Sequence, residues 1–329
     1  MPDRIVDLTS GVMMIVSDLH GDREAFGRYV GRFLPLRQRG KVQHLLLLGD
    51  LIHSPGPENE DESLRMLLDV MRMQRALPAG SVLMLLGNHE LPHLYGMALA
   101  RGNVEFTPRF EAALSKSGQR AEIVAFLDDL PFYVRTGAGV AFAHAGPHGS
   151  ATLNMDKLAH FDHHAILDEA AYALSINPYP DQLRNLYGQM MGMPYEVLAR
   201  YYLAVTDRGD PRYDDLLRGF MIGQGNKDFE LLWDILFTRC EDGMTMKLYE
   251  RTLATFLEAL SVGAPAPQRF LVTGHIGVAG GHKIVTPQHL RLASAAHAHP
   301  REAGQFLLID CGRPVESMDV LERSLGSVF

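Results

Sequence analysis

Apolar residues recur in two different rhythms along this chain of 329 residues. In the first ninety positions, short unbroken apolar runs alternate with longer amphipathic stretches. Val12–Ser17, Leu45–Leu48 and Val82–Leu86 are short continuous runs, and they predict three buried strands. Between the first two, Phe26, Tyr29, Val30, Phe33 and Leu34 recur at helical spacing, predicting a helix over residues 22–34. Asn59 with Glu62 has the form of a capping box, and Glu60 and Asp61 add negative charge to a first turn. The helix opened there is predicted to reach about Leu77, where Pro78 stops it. Buried strands alternating with helices predict a parallel α/β sheet. The steps from Asp18 to Asp50 and from Asp50 to Asn88 each fit one βαβ unit of roughly 30 or more residues.

The rhythm changes after residue 100. Thr107-Pro108 opens a further helix, and Phe132–Arg135 and Val140–Ala143 flank Gly137-Ala138-Gly139 as a β-hairpin. A partly antiparallel sheet therefore joins the parallel one, and two sheets face to face with helices outside accommodate both. Residues 150–230 carry Leu, Met, Ala and Tyr at helical spacing and no strand signal. A long helix over 245–260 follows, then a short linker at 264–267, a strand at Phe270–Thr273, and strands at Leu290–Ser294 and Gln305–Ile309. The division this predicts is one catalytic domain from 1–149 and 245–329, with 150–244 as a mostly helical insertion that caps the site.

Composition adds little beyond exclusions. At 47% hydrophobic and 21% charged residues the chain is ordinary for a globular protein. A formal net charge of −8 argues against a nucleic-acid partner, which usually meets a basic face. The two cysteines, Cys240 and Cys311, are too few for a disulfide framework. The acidic start MPDRIVDLTS is unlike a signal peptide, and no run approaches the ~18 apolar residues of a membrane span. A cytoplasmic protein without a membrane partner is the expectation.

Chemistry enters at the ends of the strands. Five apolar runs each finish on a metal-ligating residue type, supplying Asp18, His20, Asp50, Asn88, His144 and His275. Asp18 and His20, two apart at the end of an extended strand, point to one side and reach one ion. Asp50, just past Gly49, has two oxygens and can bridge two ions. Asn88, His144 and His275 supply neutral oxygen and nitrogen donors for a second ion. Mixed carboxylate, amide and imidazole ligation suits Mn, Fe, Zn or Co better than Ca or Mg, and the absence of cysteine excludes a structural thiolate zinc site. Two divalent ions carry four positive charges, of which Asp18 and Asp50 cancel two. The remainder attracts phosphate and holds a hydroxide.

The blocks D-x-H-G (Asp18, His20, Gly21), G-D (Gly49, Asp50), G-N-H-E (Gly87, Asn88, His89, Glu90), H-A-G (His144, Ala145, Gly146) and G-H (Gly274, His275) resemble those of the calcineurin-like metallophosphoesterases. Their order and spacing are most similar to the phosphoprotein phosphatase branch, which includes the diadenosine tetraphosphatases. The likeness covers roughly 1–149 and 245–315. It implies a four-layer αββα sandwich with two divalent metals. It assigns Asp18, His20 and Asp50 to one ion and Asp50, Asn88, His144 and His275 to the other, and it makes His89 the acid that protonates the leaving oxygen. The expected reaction is hydrolysis of phosphomonoesters, phosphoproteins included, by in-line attack of a metal-bridging hydroxide. A phosphorylated substrate is the expected partner. Two alternatives stay open: a dinucleoside polyphosphate hydrolase, with Tyr172, Tyr179, Tyr187 and Tyr195 available to stack bases, and a metal-bearing binding protein that has lost catalysis.

This chain departs from the resemblance at the second block. Where the family usually has G-D-x-x-D-R, it reads Gly49-Asp50-Leu51-Ile52-His53-Ser54. The family's second Asp orients the acid histidine and its Arg grips phosphate. His53 is either a solvent-facing loop residue or an orienting partner of His89, and Arg101, Arg109 or Arg239, alongside Asn88, are the candidates to bind substrate phosphate. The fifth block lacks the form G-H-x-H, although His297 or His299 could contact the site. Glu90 is expected to brace its loop, the cluster His160, His163 and His164 to be a solvated helix end, and the methionines of the insertion to be core.

Overall fold

The computed structural model describes residues 3–101 and 104–329, with the side chain of Arg101 outside that description. The strands are β1 (Ile5–Leu8), β2 (Val12–Val16), β3 (His44–Leu47), β4 (Val82–Met84), β5 (Ala100–Arg101), β6 (Val104–Glu105), β7 (Tyr133–Thr136), β8 (Val140–Ala143), β9 (Phe270–Thr273), β10 (Val278–Ala279), β11 (His282–Thr286), β12 (His289–Leu292), β13 (Ala298–His299), β14 (Gln305–Asp310) and β15 (Leu325–Ser327). Two sheets dominate. One has six strands in the order β1-β7-β8-β9-β12-β11, and the other has five in the order β15-β14-β2-β3-β4.

Alternation along each strand decides which side chains face which layer. In β2, Met13 and Ile15 point into an apolar layer shared with Leu46, Val140, Phe142, Val272 and Leu307, which lies between the two sheets. Their neighbours Met14 and Val16 point the other way, onto Phe26, Tyr29, Phe33, Leu67 and Val70 of the helices Arg23–Gln38 and Ser63–Ala76. The strands are buried on both faces, which is why they appear as unbroken apolar runs. Helix, sheet, sheet and helix layers make a mixed α/β sandwich of four layers, as expected.

The predicted elements mostly form, with instructive shifts. The two βαβ steps are present: β2, β3 and β4 are parallel neighbours joined by the two helices. The hairpin forms between β7 and β8. The capping box does not. Residues 58–60 make a single 3-10 turn, the helix starts at Ser63, and Asp61 accepts from the Ser63 N–H instead. Strands β1, β11 and β15 at the sheet edges were not predicted. Apart from Thr286 their side chains are half-buried or exposed, so they lack the continuous apolar run that marks the central strands.

Nine helices lie between β8 and β9, eight from Gly149–Leu153 to Cys240–Gly243 and then Met246–Leu260. Tyr187, Tyr195, Leu198, Tyr202 and Leu217 form an apolar cluster of their own there. Ala151, Leu158, Ile166, Phe229 and Leu232 of the same stretch instead join the main core. His163 is not part of a solvated helix end. It is buried and hydrogen-bonds the Tyr95 hydroxyl at 2.8 Å. No helix among the described residues is long and apolar enough to cross a membrane.

His289 ties the six-stranded sheet to the helix Met246–Leu260. Its two ring nitrogens lie 2.8 Å from the hydroxyls of Tyr249 and Thr273. Burial pushes its pKa down to about 3, so the folded protein holds it neutral while the unfolded chain protonates it near its ordinary value. The stability it contributes is present above pH 6.5 and is lost as pH falls toward 3. Between pH 6.5 and 5 one such histidine removes about 2 kcal/mol. Denaturant unfolding at pH 7 and pH 5 of the wild type and His289→Gln checks this: the difference between the two pH values shrinks by about that amount in the variant. An unchanged difference would remove His289 from the pH dependence.

Candidate metal centre

Strands β2, β3 and β4 are mutually parallel, and so are β8, β9 and β12. The loops that leave their carboxyl ends carry Asp18 and His20, Asp50, Asn88, His144, His275 and His297 respectively. The residues assemble from both sheets at one edge of the sandwich, the position where open α/β sheets bind ligands.

The ligand-type atoms form three overlapping groups: Asp18 with His20 and His297, His20 with Asp50 and His89, and Asp50 with His144 and His275. Asp50 stands at the centre. Its Oδ2 lies 3.7 Å from His20 Nε2, and its Oδ1 lies 3.6 Å from His144 Nε2. One carboxylate therefore faces two different imidazoles with its two oxygens.

The backbone at the site is strained to achieve this. His20, Asp50, His53 and His275 all have positive φ, at 42°, 51°, 72° and 68°. Such values are uncommon for residues with a Cβ and cluster at functional sites. They also correct the expectation for Asp18 and His20. The two converge because His20 turns into the left-handed region, not because an extended strand aims i and i+2 alike. The glycines of the blocks allow close approach. A Cβ on Gly274 would sit 2.2 Å from Asp18 Oδ2, and one on Gly49, at φ 95°, would meet the Gly87 backbone at 2.8 Å.

Hydrogen bonds set the tautomers. His144 Nδ1 lies 2.9 Å from the Leu48 carbonyl and His20 Nδ1 lies 3.2 Å from the Ile52 carbonyl. A carbonyl only accepts, so both rings donate from Nδ1 and aim a lone pair on Nε2 into the site. His144 Nε2 then faces Asn88 Oδ1 at 2.9 Å and His275 Nδ1 at 3.1 Å. His297 Nδ1 lies 3.2 Å from Asp18 Oδ1 yet makes no hydrogen bond. Converging lone pairs with an orphaned ring nitrogen are a cradle for cations, and oxygen and imidazole donors around a shared carboxylate fit two divalent ions. Burial, first of all, lowers the pKa of His144, and it lowers His20 to about 4 and His275 to about 3. Neutral imidazole is the metal-binding form.

The loops are clamped by Glu90. Its carboxylate accepts from the N–H groups of Gly87, Asp50 and Leu51 at 3.1, 3.0 and 2.9 Å, so it braces both loops as expected. Asp50 Oδ1 accepts in turn from the His89 N–H at 3.0 Å. The His89 ring packs edge-on against His20, with centroids 4.4 Å apart. His53 is no solvent-facing residue: it is buried, and its Nδ1 lies 3.0 Å from His89 Nδ1.

The three arginines fare differently. Arg239 is exposed, pairs with Asp242 at 2.8 Å, and is close enough for its charge to oppose protonation of His275. Arg109 donates to the Gly56 carbonyl at 2.6 Å and so holds the loop beyond His53. The Arg101 call falls on a side chain outside the described residues. His297 is the residue that sequence reasoning placed only at the margin. It follows β12 as His275 follows β9, and the apolar run LRLASAAHAHP before it was the available signal.

The fold and the site define a hydrolase class built on paired divalent ions. The sequence model of the calcineurin-like phosphoesterases matches residues 12–183, more than half of the chain, and the chain belongs to that family. It is thus a metal-dependent phosphoester hydrolase. The matched region holds the first four blocks, and His275 and His297 lie beyond it. No curated protein sequence matches the chain. Among solved structures, a cold-active protein tyrosine phosphatase is 15% identical with a TM-score of 0.47, covering 94% of this chain and 76% of its own. A protein serine/threonine phosphatase from Saccharomyces cerevisiae, described as similar to human phosphatase PP5, is 12% identical with a TM-score of 0.49, covering 98% and 82%. A metallophosphoesterase from Sphaerobacter thermophilus is 11% identical with a TM-score of 0.38, covering 96% and 93%.

The position of Asp18 is testable through Gly274. In Gly274→Ala the added Cβ displaces the carboxylate, and affinity for manganese measured by calorimetry falls by about 10–100-fold. Unchanged affinity would show that Asp18 need not sit where the Gly274 backbone allows it.

Proposed function

We propose that this protein hydrolyses phosphomonoesters with two divalent ions. Asp18, His20, His297 and Asp50 would hold one ion, and Asp50, Asn88, His144 and His275 would hold the other. Such ions, when bound, lower the pKa of bound water and neutralise phosphate charge. The observation that carries this reading is the split carboxylate of Asp50, each oxygen facing a different imidazole, with the His89 N–H fixed to one of them.

His89 supplies the proton for the leaving oxygen. Its Nδ1 is directed at His53, so Nε2 is the atom free for the substrate side. A leaving alkoxide departs poorly unless protonated, and general acid catalysis of this kind contributes about 10²–10⁴-fold. Glu90 fixes the peptide of Asp50 and so the carboxylate beside which His89 works. Arg239, an exposed cation near His275, is the substrate-phosphate contact in place of the family's arginine, and the helical stretch 150–244 that carries it acts as a cap. Arg109 braces its loop and has no part in binding.

Two observations favour a monoester over a dinucleoside polyphosphate. Tyr195 is a core residue that donates to the Tyr213 carbonyl, so it is not available to stack a base, and Tyr187 is buried against Tyr195 and Phe220. Tyr172 and Tyr179 are exposed but belong to the helical stretch, with no described contact to the metal centre.

The deciding assay is hydrolysis of p-nitrophenyl phosphate and its bis-ester by metal-stripped protein before and after adding manganese. Manganese restores turnover of the monoester, and Asp50→Asn lowers it by more than the about 100-fold typical of changes to residues that merely support a ligand. His297→Ala lowers the bound-metal stoichiometry measured by mass spectrometry. Preference for the bis-ester would replace the monoester reading, and absence of turnover with both ions bound would replace it with a binding role.

A further inference from the structure

Behind His89 lies a chain of polar groups that the reaction as described does not use. His53 Nδ1 is 3.0 Å from His89 Nδ1, and His53 Nε2 is 2.8 Å from His93 Nε2. His93 Nδ1 is 2.9 Å from Glu111 Oε1. Glu111 accepts from Arg120 Nε on its other oxygen, also at 2.9 Å. His53, His93 and Glu111 are each at most 2% exposed. They come from three separate segments: the loop after β3, the helix Leu91–Tyr95 and the helix Thr107–Ser117.

We propose that His53 and His93 form a two-histidine relay through which Glu111 sets the tautomer and orientation of His89. The three are positioning residues that act through His89. The inference rests on the reading of His89 as the acid.

Hydrogen-bond direction carries the argument. An ionised carboxylate only accepts, so a neutral His93, whose partner Glu111 already has its charge met by Arg120, donates from Nδ1 and keeps a lone pair on Nε2. His53 must then donate from Nε2 to His93, which leaves a lone pair on His53 Nδ1. His89 must donate from Nδ1 to His53, which leaves Nε2 free for the substrate. Reversing every bond would require Glu111 to carry a proton. Burial favours that proton, but the hydrogen bonds from His93 and Arg120 and the Arg120 charge work against it, and the Glu111 carboxyl is held below the usual range. To act as the acid, His89 first takes up a proton from solvent on Nε2; that N–H bond breaks as the new O–H bond forms, and the Nδ1 proton stays on His89.

Packing fixes the rings as firmly as the bonds do. His53 stacks on Phe106 at 5.4 Å between centroids and 11° between planes, and it meets Phe110 edge-on at 5.8 Å. Its backbone, at φ 72°, is held by the N–H bond to Ser63 Oγ at 2.9 Å. Buried rings in a dry setting make each hydrogen bond count for more than it would in water. The relay also accounts for the departure in the second block. The aspartate usual in the family would contact the acid histidine directly. Here the carboxylate sits two imidazoles further away, and the histidines carry its direction to the site.

The test uses full-length protein, zinc-loaded and with ¹⁵N-labelled histidine. Two-bond proton–nitrogen correlations report the neutral tautomer of His89, with or without any turnover. The wild type shows the proton on Nδ1. Glu111→Leu and His53→Leu, which leave no acceptor at either position, lose that tautomer as the major form, with metal content and melting checked. In parallel, both variants lower kcat for phenyl phosphate by about 10–100-fold at unchanged KM. Both leave kcat for 2,4-dinitrophenyl phosphate unchanged, because its leaving group needs no proton. An aspartate oxygen lies as many bonds from Cα as histidine Nδ1 does, so His53→Asp added to Glu111→Leu restores kcat for phenyl phosphate. A merely structural role for Glu111 predicts no such rescue. Unchanged tautomer signals in both variants would overturn the relay. A tautomer change without any phosphoester turnover would keep the relay and overturn the phosphatase reading instead.

Discussion

A single carboxylate, that of Asp50, has to serve two sides of a buried site at once. Its backbone takes up a left-handed conformation after Gly49, and this aims one oxygen at His20 and the other at His144. Nothing about that placement is cheap. Asp18, Asp50 and Glu90 are all fully buried, and burial together with the charges of Glu90 and Asp18 pushes the Asp50 carboxyl well above its usual range. Removing charge from water in this way is costly unless opposite charge is present. Divalent cations bound by these oxygens and imidazoles would supply it. The Glu90 clamp, the glycines of three blocks and the tautomers of His20 and His144 all follow from the need to hold those donors in place before an ion arrives.

Much of this was legible in the sequence because the central strands are buried on both faces. Val12–Val16, His44–Leu47 and Phe270–Thr273 appear as short apolar runs, and a ligand-type residue at the end of each stands out against them. Parallel strands then bring those ends to one edge without further information. The half-exposed edge strands β1, β11 and β15 offered no such contrast. His297 was only marginally legible because a long crossing separates it from His275, and its partner Asp18 lies at the far end of the chain. Asn59 and Glu62 carried a valid local signal for a helix start that tertiary structure overrode: His53 donates its N–H to the Ser63 hydroxyl, which draws the first turn back toward the site.

His93 and Glu111 were not legible at all. Each is an ordinary polar residue on a helix, and only the packing of the helices Leu91–Tyr95 and Thr107–Ser117 against the loop after β3 reveals that they form one line with His89. The same packing resolves the altered second block. With His53 in place of the usual aspartate, the sequence left a loop residue and an orienting partner equally open. It is buried between Phe106 and Phe110 with one ring nitrogen on His89 and the other on His93, which is the arrangement the partner reading requires. His163 teaches the reverse lesson. A histidine-rich stretch that looked solvated contributes a buried ring to the core because the Tyr95 hydroxyl is there to meet it.

The central claim is that Asp50 lies between two ions. Anomalous diffraction from crystals grown with manganese, recorded above and below the manganese edge, tests it directly. The account predicts two peaks, one between Asp50 and the group Asp18, His20 and His297, the other between Asp50 and the group Asn88, His144 and His275. A single peak, or peaks that do not share Asp50, would contradict it.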